Sequence, residues 1–188
     1  MQKHVDRVLI SRDAIAERVG QMAEQIADDF RSATGPAADG AEGSLSIIAI
    51  PTGSLIFLAD LIRQLPMLMR VRLITVTSYP GKATASQGAK IEGQIPDDLA
   101  GHHVLVVDDI LDSGNTIRLV QERIGQQKPA SVRVCVLLRK RIPTAMALRP
   151  DYVGFDIDDE FVVGYGLDYD GYYRNLPDVV ALKPEVLS

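Results

Sequence analysis

Short apolar runs alternate along the chain with segments in which apolar residues recur every three or four positions. Strands are predicted by four runs rich in β-branched residues, at 45–50, 71–77, 104–107 and 132–138. Helices are predicted by apolar residues at helical spacing over 15–30, 55–65 and 117–124, the first of them capped by Ser11. Strands that alternate with helices predict an α/β fold with a mostly parallel central sheet flanked by helices.

Two further regions complete the predicted organisation. Residues 31–44 are rich in Gly, Pro, Ala, Asp and Ser, which is typical of an exposed loop. Residues 151–157 and 161–169 predict short strands joined by an acidic turn. A chain of 188 residues suits a single domain, here 1–188, with a core over about 8–140.

The most informative stretch is the strand, turn and helix that begin at Val104. The strand ends at two adjacent carboxylates, Asp108 and Asp109, and a polar turn then leads into the next helix. That turn places the backbone N–H groups of residues 113–116 at a helix N-terminus, where anions bind. The acidic pair would repel a bare phosphate, so it is better suited to hydroxyl groups or to a hydrated cation. A phosphorylated ribose satisfies both halves of this site.

A second strand-turn-helix unit carries a similar signal. Residues 51–54 form a tight turn in which Gly53 lets the backbone approach a ligand closely and Ser54 is placed to cap the following helix. Ligands of parallel sheets bind at the carboxyl ends of the strands. Because this turn, the acidic pair and the basic residues 139–141 all follow predicted strands, we expect them to meet at one edge of the sheet.

Composition narrows the function classes. The chain is 46% hydrophobic and 24% charged, as in soluble globular proteins, and its formal net charge of −5 disfavours a broad nucleic-acid or anionic-membrane surface. Cys135 is the only cysteine, which excludes a disulfide framework. The N-terminus shows no signal-peptide pattern, and no apolar run approaches the ~18 residues of a membrane span. A cytoplasmic location is expected.

The order of residues at 106–116 is similar to the phosphoribosyl pyrophosphate (PRPP) signature of the type I phosphoribosyltransferases. Asp112 within it, together with the segments 152–155, 161–169 and 173–177, resembles the hypoxanthine-guanine phosphoribosyltransferases. The resemblance extends roughly from Val8 to Val180. It implies transfer of a 5-phosphoribosyl group from PRPP to N9 of hypoxanthine or guanine, which gives IMP or GMP and pyrophosphate in purine salvage. It also implies a small C-terminal purine-binding hood over about 139–180.

The resemblance implies a set of site residues. PRPP would be bound by Asp108, Asp109, Asp112, Ser113, Gly114, Asn115, Thr116, Thr52, Gly53 and Arg174. The purine would be bound by Lys140, Phe161, Val162 and Asp168, with Asp112 as the catalytic base. Mg²⁺ would be bound by Asp168, Asp108 and Asp109. A flexible loop over about 79–90 would begin at Ser78 and Tyr79 and close as a lid, although a plain hairpin connection also fits these residues.

One position departs from the family pattern. The family often carries a lysine just before the glycine of the pyrophosphate loop, and this chain has Thr52 in place of that lysine. The family also has an unusual cis peptide in this loop.

The resemblance further implies a homodimer or homotetramer, with PRPP and a 6-oxopurine as small-molecule partners. The preference among hypoxanthine, guanine and xanthine does not follow from the residues.

Three alternatives remain at this stage. A strand that ends in Asp108-Asp109 also fits a nucleotide hydrolase, but the Gly-Lys-[Ser/Thr] loop that such an enzyme needs is missing from the sequence. A phosphoribosyltransferase for xanthine or uracil would share the PRPP turn and differ around Lys140 and Phe161. A regulator that keeps the fold and binds nucleic acid would need a basic face, which the acidic balance disfavours.

Overall fold

A computed structural model describes residues 2–34, 45–78, 89–92 and 95–187. Its helices are α1 (Arg12–Thr34), α2 (Leu55–Gln64), α3 (Asn115–Gly125) and α4 (Pro143–Met146). Its strands are β1 (Val5–Ile10), β2 (Leu45–Ala49), β3 (Met69–Leu73), β4 (Thr75–Ser78), β5 (Ala89–Glu92), β6 (His103–Leu111), β7 (Ser131–Lys140), β8 (Tyr152–Ile157), β9 (Val162–Val163) and β10 (Val179–Leu182). Within those ranges, no helix is both long and apolar enough to cross a bilayer.

The central sheet has the strand order β3-β2-β6-β7-β8, and every neighbouring pair in it is parallel. Its three inner strands, β2, β6 and β7, are buried on both faces over most of their length, which explains their continuous apolar runs. In β6, Leu105 and Val107 pack in the core cluster that contains apolar residues of α1 and α2. Val104 and Val106 point to the opposite face and pack in the cluster that contains residues of α3. The predicted α/β fold with a parallel sheet flanked by helices is confirmed.

A smaller antiparallel sheet joins the two ends of the chain. Its order is β1-β10-β9, so the N-terminal strand pairs with a strand near the C-terminus. The sequence patterns did not predict β1 or β10. Arg12 fixes this junction, because its backbone N–H and its guanidinium both donate to the carboxylate of Asp178.

In three segments the predicted secondary structure was wrong. The strand expected over 71–77 is broken at Ile74, whose N–H donates to the Ala49 carbonyl, so β3 stays in the central sheet and β4 pairs with β5 instead. Helix α1 continues to Thr34, into the segment predicted as a loop. The strand expected over 161–169 is reduced to β9, because the chain then turns at Gly164 and Gly166, which both have positive φ angles.

The parallel register brings the predicted site segments together. β2, β6 and β7 are adjacent and run in the same direction. The turn at 51–54 follows the end of β2. The acidic pair lies within the last four residues of β6, and Arg139 and Lys140 are the last two residues of β7, because both strands run further than the sequence predicted. These segments therefore lie along one edge of the sheet, as expected from the sequence.

Candidate active site

A cavity of about 360 Å³ opens at this edge of the sheet. It is lined by most of the residues that the resemblance assigned to PRPP and metal binding: Thr52, Gly53, Asp108, Asp109, Asp112, Ser113, Gly114, Thr116, Asp168 and Arg174. Segments that are far apart in the sequence thus contribute to one concave surface.

The acidic pair contributes two adjacent carboxylates to the cavity lining. Asp108 is buried, and its carboxylate accepts a hydrogen bond from the Asp109 N–H at 3.0 Å. The Asp109 carboxylate accepts from the Ile110 N–H at 2.8 Å. Burial raises the pKa of Asp108 well above its ordinary value, and the neighbouring charge of Asp109 raises it further. Burial also raises the pKa of Asp109, against the opposing effect of its hydrogen bonds. Such a pair favours a ligand that supplies hydroxyl donors or positive charge.

The turn before α3 has the geometry of an anion site. Gly114 is the N-cap residue with φ 79°, and the helix begins at Asn115. A Cβ at Gly114 would lie 2.2 Å from Leu148 Cδ1, so both the positive φ angle and the packing require glycine here. The Ser113 hydroxyl accepts from the Asn115 N–H at 3.4 Å. The first N–H groups of α3 point from this turn, where helices lack internal acceptors.

The turn at 51–54 packs directly on the acidic pair. A Cβ at Gly53 would lie 1.7 Å from Asp109 Oδ2, and a Cβ at Gly166 would lie 2.0 Å from the Gly53 carbonyl oxygen. The sequence predicted that Gly53 allows a ligand to approach the backbone, but the side chain of Asp109 already requires a glycine here. The peptide bond between Pro51 and Thr52 is cis, as the resemblance implied for this loop.

The expected cap at Ser54 was wrong. Ser54 is the N-cap residue of α2, but it makes no side-chain cap hydrogen bond. Its buried hydroxyl donates to the Ile50 carbonyl at 2.5 Å. It therefore closes the turn onto the end of β2, because its backbone is already helical and directs the hydroxyl back along the chain.

Arg174 and Asp168 hold each other at the rim. Arg174 Nη2 lies 2.8 Å from Asp168 Oδ1, and Arg174 Nη1 donates to the Gly166 carbonyl at 2.8 Å. The other carboxylate oxygen of Asp168 accepts from the Gly171 N–H at 2.8 Å. The guanidinium is thus held over the cavity next to the turn at Gly53, where it can contact an anionic ligand.

Of the residues assigned to the purine, Asp168 lines the cavity, whereas Lys140, Phe161 and Val162 do not. Lys140, at the end of β7, has its Nζ 3.5 Å from Asp112 Oδ2 and 3.0 Å from Asp159 Oδ1. Burial alone would lower the pKa of Lys140, but the hydrogen bond to Asp159 and the charge of Asp112 outweigh it and raise this pKa. Asp112 also lines the cavity, so it connects the two regions.

The aromatic side chain expected to stack on the base is accessible. Phe161 is 48% exposed, and its ring meets the ring of Tyr169 edge to face, with the centroids 5.6 Å apart. Val162 begins β9 and is buried, so that its backbone is fixed by pairing with β10. One face of Phe161 can therefore cover a planar ligand.

The predicted lid lies mostly outside the described residues. Ser78 is the last residue of β4, and β4 pairs antiparallel with β5 in the hairpin that the sequence also allowed. Tyr79 and residues 80–88 fall outside the described ranges. The lid therefore stays a prediction.

Sequence reasoning missed three residues of this region. Asp159 contacts Lys140. The Tyr165 hydroxyl donates to Asp60 of α2 at 2.6 Å, and this bond ties the C-terminal segment to the helix that follows the turn at 51–54. Gly166 lies against that same turn. The pattern of apolar residues carries no signal for these contacts, because each joins segments that are distant in sequence.

The carboxylates that line the cavity bear on whether it can hold a divalent cation. Among the described residues, no group of three or more His, Cys, Asp or Glu side chains forms a complete metal site. Mg²⁺ does not need one, because it keeps several waters and commonly uses one or two carboxylates together with substrate phosphates. Asp108, Asp109 and Asp168 all line the cavity, and these hard oxygen donors fit such a shared ion.

Comparisons with known proteins agree with this geometry. The phosphoribosyl transferase domain family matches residues 10–170. A hypoxanthine-guanine phosphoribosyltransferase from Mycobacterium tuberculosis is 37% identical over 183 residues, which cover 97% of this chain and 88% of that protein. A hypoxanthine phosphoribosyltransferase from Salmonella typhimurium is 36% identical and covers 94% of this chain and 95% of its own length.

Solved structures give the same result. A hypoxanthine phosphoribosyltransferase from Trypanosoma cruzi, solved as a ternary substrates complex, superimposes with a TM-score of 0.88 at 35% identity, covering 99% of this chain and 100% of that one. One from Staphylococcus aureus gives a TM-score of 0.87 at 32% identity, covering 100% and 97%. With the parallel sheet, the acidic pair and the anion-binding turn in place, the chain belongs to the phosphoribosyltransferase family, among its hypoxanthine and hypoxanthine-guanine phosphoribosyltransferases.

Proposed function

We propose that the cavity at the carboxyl edge of the sheet transfers the 5-phosphoribosyl group of PRPP to N9 of hypoxanthine or guanine. The products are IMP or GMP and pyrophosphate. The observation that supports this most directly is convergence: a helix N-terminal turn, a pair of adjacent carboxylates and an arginine line one cavity. The helix turn suits the 5′-phosphate of PRPP, the carboxylate pair suits the ribose diol, and the arginine suits the pyrophosphate.

The chain's own groups divide the substrate between them. The 5′-phosphate binds at residues 113–116, where helix N–H groups and the hydroxyls of Ser113 and Thr116 supply donors. The ribose hydroxyls donate to Asp108 and Asp109. The pyrophosphate lies against the backbone of Thr52 and Gly53 and receives charge-assisted hydrogen bonds from Arg174. Backbone N–H groups take over the part of the contact that a lysine at position 52 would supply.

The purine then lies next to C1 of the ribose. Phe161 stacks on its face, and the Lys140 ammonium donates to O6. A cationic donor at this position favours an oxo group and disfavours the amino group of adenine. The backbone of Val162 and Asp168 faces the edge that bears the exocyclic substituent.

Bond exchange at C1 requires a proton acceptor at the base. As the bond from C1 to the pyrophosphate oxygen breaks and N9 forms its bond to C1, the proton on N7 passes to the Asp112 carboxylate. Asp112 is exposed and lines the cavity, so its second oxygen is available beside Lys140. Arg174 stabilises the negative charge that develops on the departing pyrophosphate.

We assign Mg²⁺ as the metal, held by Asp168, Asp108 and Asp109 together with oxygens of PRPP. When bound, it would supply positive charge that neutralises the pyrophosphate leaving group. Removal of divalent ions with EDTA should abolish turnover, and added Mg²⁺ should restore it. Full activity after exhaustive chelation would contradict this assignment.

The decisive experiment measures nucleotide formation from PRPP with one base at a time: hypoxanthine, guanine, xanthine, adenine and uracil. We expect activity with hypoxanthine or guanine and none with adenine. Activity restricted to xanthine or uracil would overturn the roles of Lys140 and Phe161. The absence of activity with every base would overturn the proposed reaction.

A homodimer or homotetramer is proposed as the assembly. β3 forms an edge of the central sheet, and Val71 and Leu73 on it are exposed, as is the preceding Leu68. Light scattering after size-exclusion chromatography would show a mass of at least twice 20.5 kDa, and a mass of one chain would contradict the proposal.

We also propose a cytoplasmic location, because PRPP and the nucleotide products are too highly charged to cross a bilayer unaided. Cell fractionation would test it.

A further inference from the structure

The ammonium group of Lys140 lies between two carboxylates. Its Nζ is 3.0 Å from Asp159 Oδ1 and 3.5 Å from Asp112 Oδ2. The Lys140 side chain is only 14% exposed, whereas the carboxylates on either side are 57% and 62% exposed. The stem of Lys140 is therefore mostly buried, whereas its ammonium meets the two exposed carboxylates at the surface, and these neighbours set its position.

Asp159 takes no part in the ion pairs that the two arginines next to Lys140 form with other carboxylates. Arg139 Nε pairs with Asp156 at 2.6 Å, and Arg141 Nη1 pairs with Asp158 at 3.1 Å. Each of the three consecutive basic side chains thus contacts a different carboxylate from β8 or from the acidic turn after it. The turn is not a diffuse patch of charge, because Asp158 and Asp159 each contact one of these cations and Glu160 pairs with Arg7 instead.

The chemistry of lysine explains why the second carboxylate matters. An ammonium group has three donors on a flexible stem, so its direction is set by its acceptors. Asp159 and Asp112 occupy two donors and leave the third for a ligand oxygen. If Asp159 were neutral, the ammonium would pair with Asp112 alone. That closer pair would move the cation away from O6 and would weaken Asp112 as an acceptor for the N7 proton.

We propose that Asp159 is a positioning residue for 6-oxopurine recognition, which holds the Lys140 ammonium at the O6 position and away from full pairing with Asp112. This inference rests on the proposed function, since it assigns Asp159 a role in the same base site. Asp159 acts only through Lys140 and does not touch the substrate.

The test compares Asp159→Asn with Asp159→Glu and with Asp158→Asn. The last is a matched control, because it removes the same charge from the adjacent turn residue, whose partner is Arg141. For Asp159→Asn we expect the KM for hypoxanthine to rise about tenfold and kcat to fall severalfold, as befits loss of a charge-assisted contact. The KM for PRPP should stay within about twofold. Asp159→Glu should restore most of the loss, and Asp158→Asn should match the wild type.

Other outcomes distinguish failure of the positioning role of Asp159 from failure of the proposed reaction. Wild-type activity with hypoxanthine, combined with unchanged constants in Asp159→Asn, would overturn the role of Asp159 and leave the proposed reaction intact. Equal losses in Asp159→Asn and Asp158→Asn would also overturn it, because a general charge effect would then be sufficient. An equal rise in KM for PRPP would show a structural defect and not positioning at the base. A wild-type protein inactive with all 6-oxopurines would remove the proposed function itself.

Discussion

The substitution Gly53→Ala tests whether the turn at 51–54 and the acidic pair work as one unit. A Cβ at this position would lie 1.7 Å from Asp109 Oδ2 and 2.7 Å from Asp109 Cγ. Ordinary contact begins near 3.4 Å, so the carboxylate or the turn must move by about 1.7 Å. The turn has little freedom on its other side, because Gly166 packs against the Gly53 carbonyl. A displacement of this size in a site that positions substrate lowers activity about 100-fold.

The assay for Gly53→Ala is initial-rate kinetics with hypoxanthine and varied PRPP, alongside thermal unfolding. We expect kcat/KM for PRPP to fall about 100-fold, with a loss of stability of about 1–3 kcal/mol from overpacking. Gly125→Ala is the matched control, because a Cβ there has nothing within 4 Å and Gly125 ends an exposed turn of α3. That control should keep wild-type kinetics and unfold at the same or a slightly higher temperature.

One result would refute the reasoning about Gly53. If Gly53→Ala folds and keeps kcat/KM for PRPP within about threefold of the wild type, the position of Asp109 does not control PRPP binding. A loss of activity that appears in Gly125→Ala as well would point to a general effect of the substitution. Direct PRPP binding by calorimetry then decides whether the affinity itself has changed.

Three further predictions address the base, the hood and the ion pairs. Asp112→Asn should lower kcat by about 10²–10⁴-fold and leave the KM for PRPP nearly unchanged, because it removes the proton acceptor and keeps the turn that binds the phosphate; near-wild-type turnover would refute the assignment. Tyr165→Phe removes the 2.6 Å hydrogen bond to Asp60 and leaves a buried ring in place, so urea unfolding should show a loss of about 1–2 kcal/mol. No change in that measurement would show that the bond does not hold the C-terminal segment. The hydrogen bond from Arg139 lowers the pKa of Asp156, so its stabilisation is present at pH 7 and lost as the pH falls through this lowered value. Asp156→Asn should therefore destabilise the protein slightly at pH 7 and less at pH 3, and an equal difference at both would contradict it.

The local sequence was sufficient for the elements whose pattern is set by burial alone. The β-branched runs of β2, β6 and β7 are buried on both faces, so their apolar residues are continuous and easy to recognise. The turn at 113–116 was also predictable, because a helix that begins directly after a buried strand is a local feature of the sequence. The resemblance added roles for Asp112, Lys140 and Arg174, and these residues do lie at or beside one cavity.

Only the tertiary structure decided how distant segments meet. The pairing of β1 with β10 and the break at Ile74 both depend on partner strands, which a pattern along one strand does not contain. Gly53 was read from the sequence as a place for a ligand, and the fold shows that the Asp109 side chain fills that place. The contact of Asp159 with Lys140 joins the end of β7 to the turn after β8. The sequence by itself thus determined the inner strands of the central sheet and the chemistry at its edge, because burial and residue type act locally. The spacing and pairing of the side chains in the site were decided by packing between segments, which exists only in the folded chain.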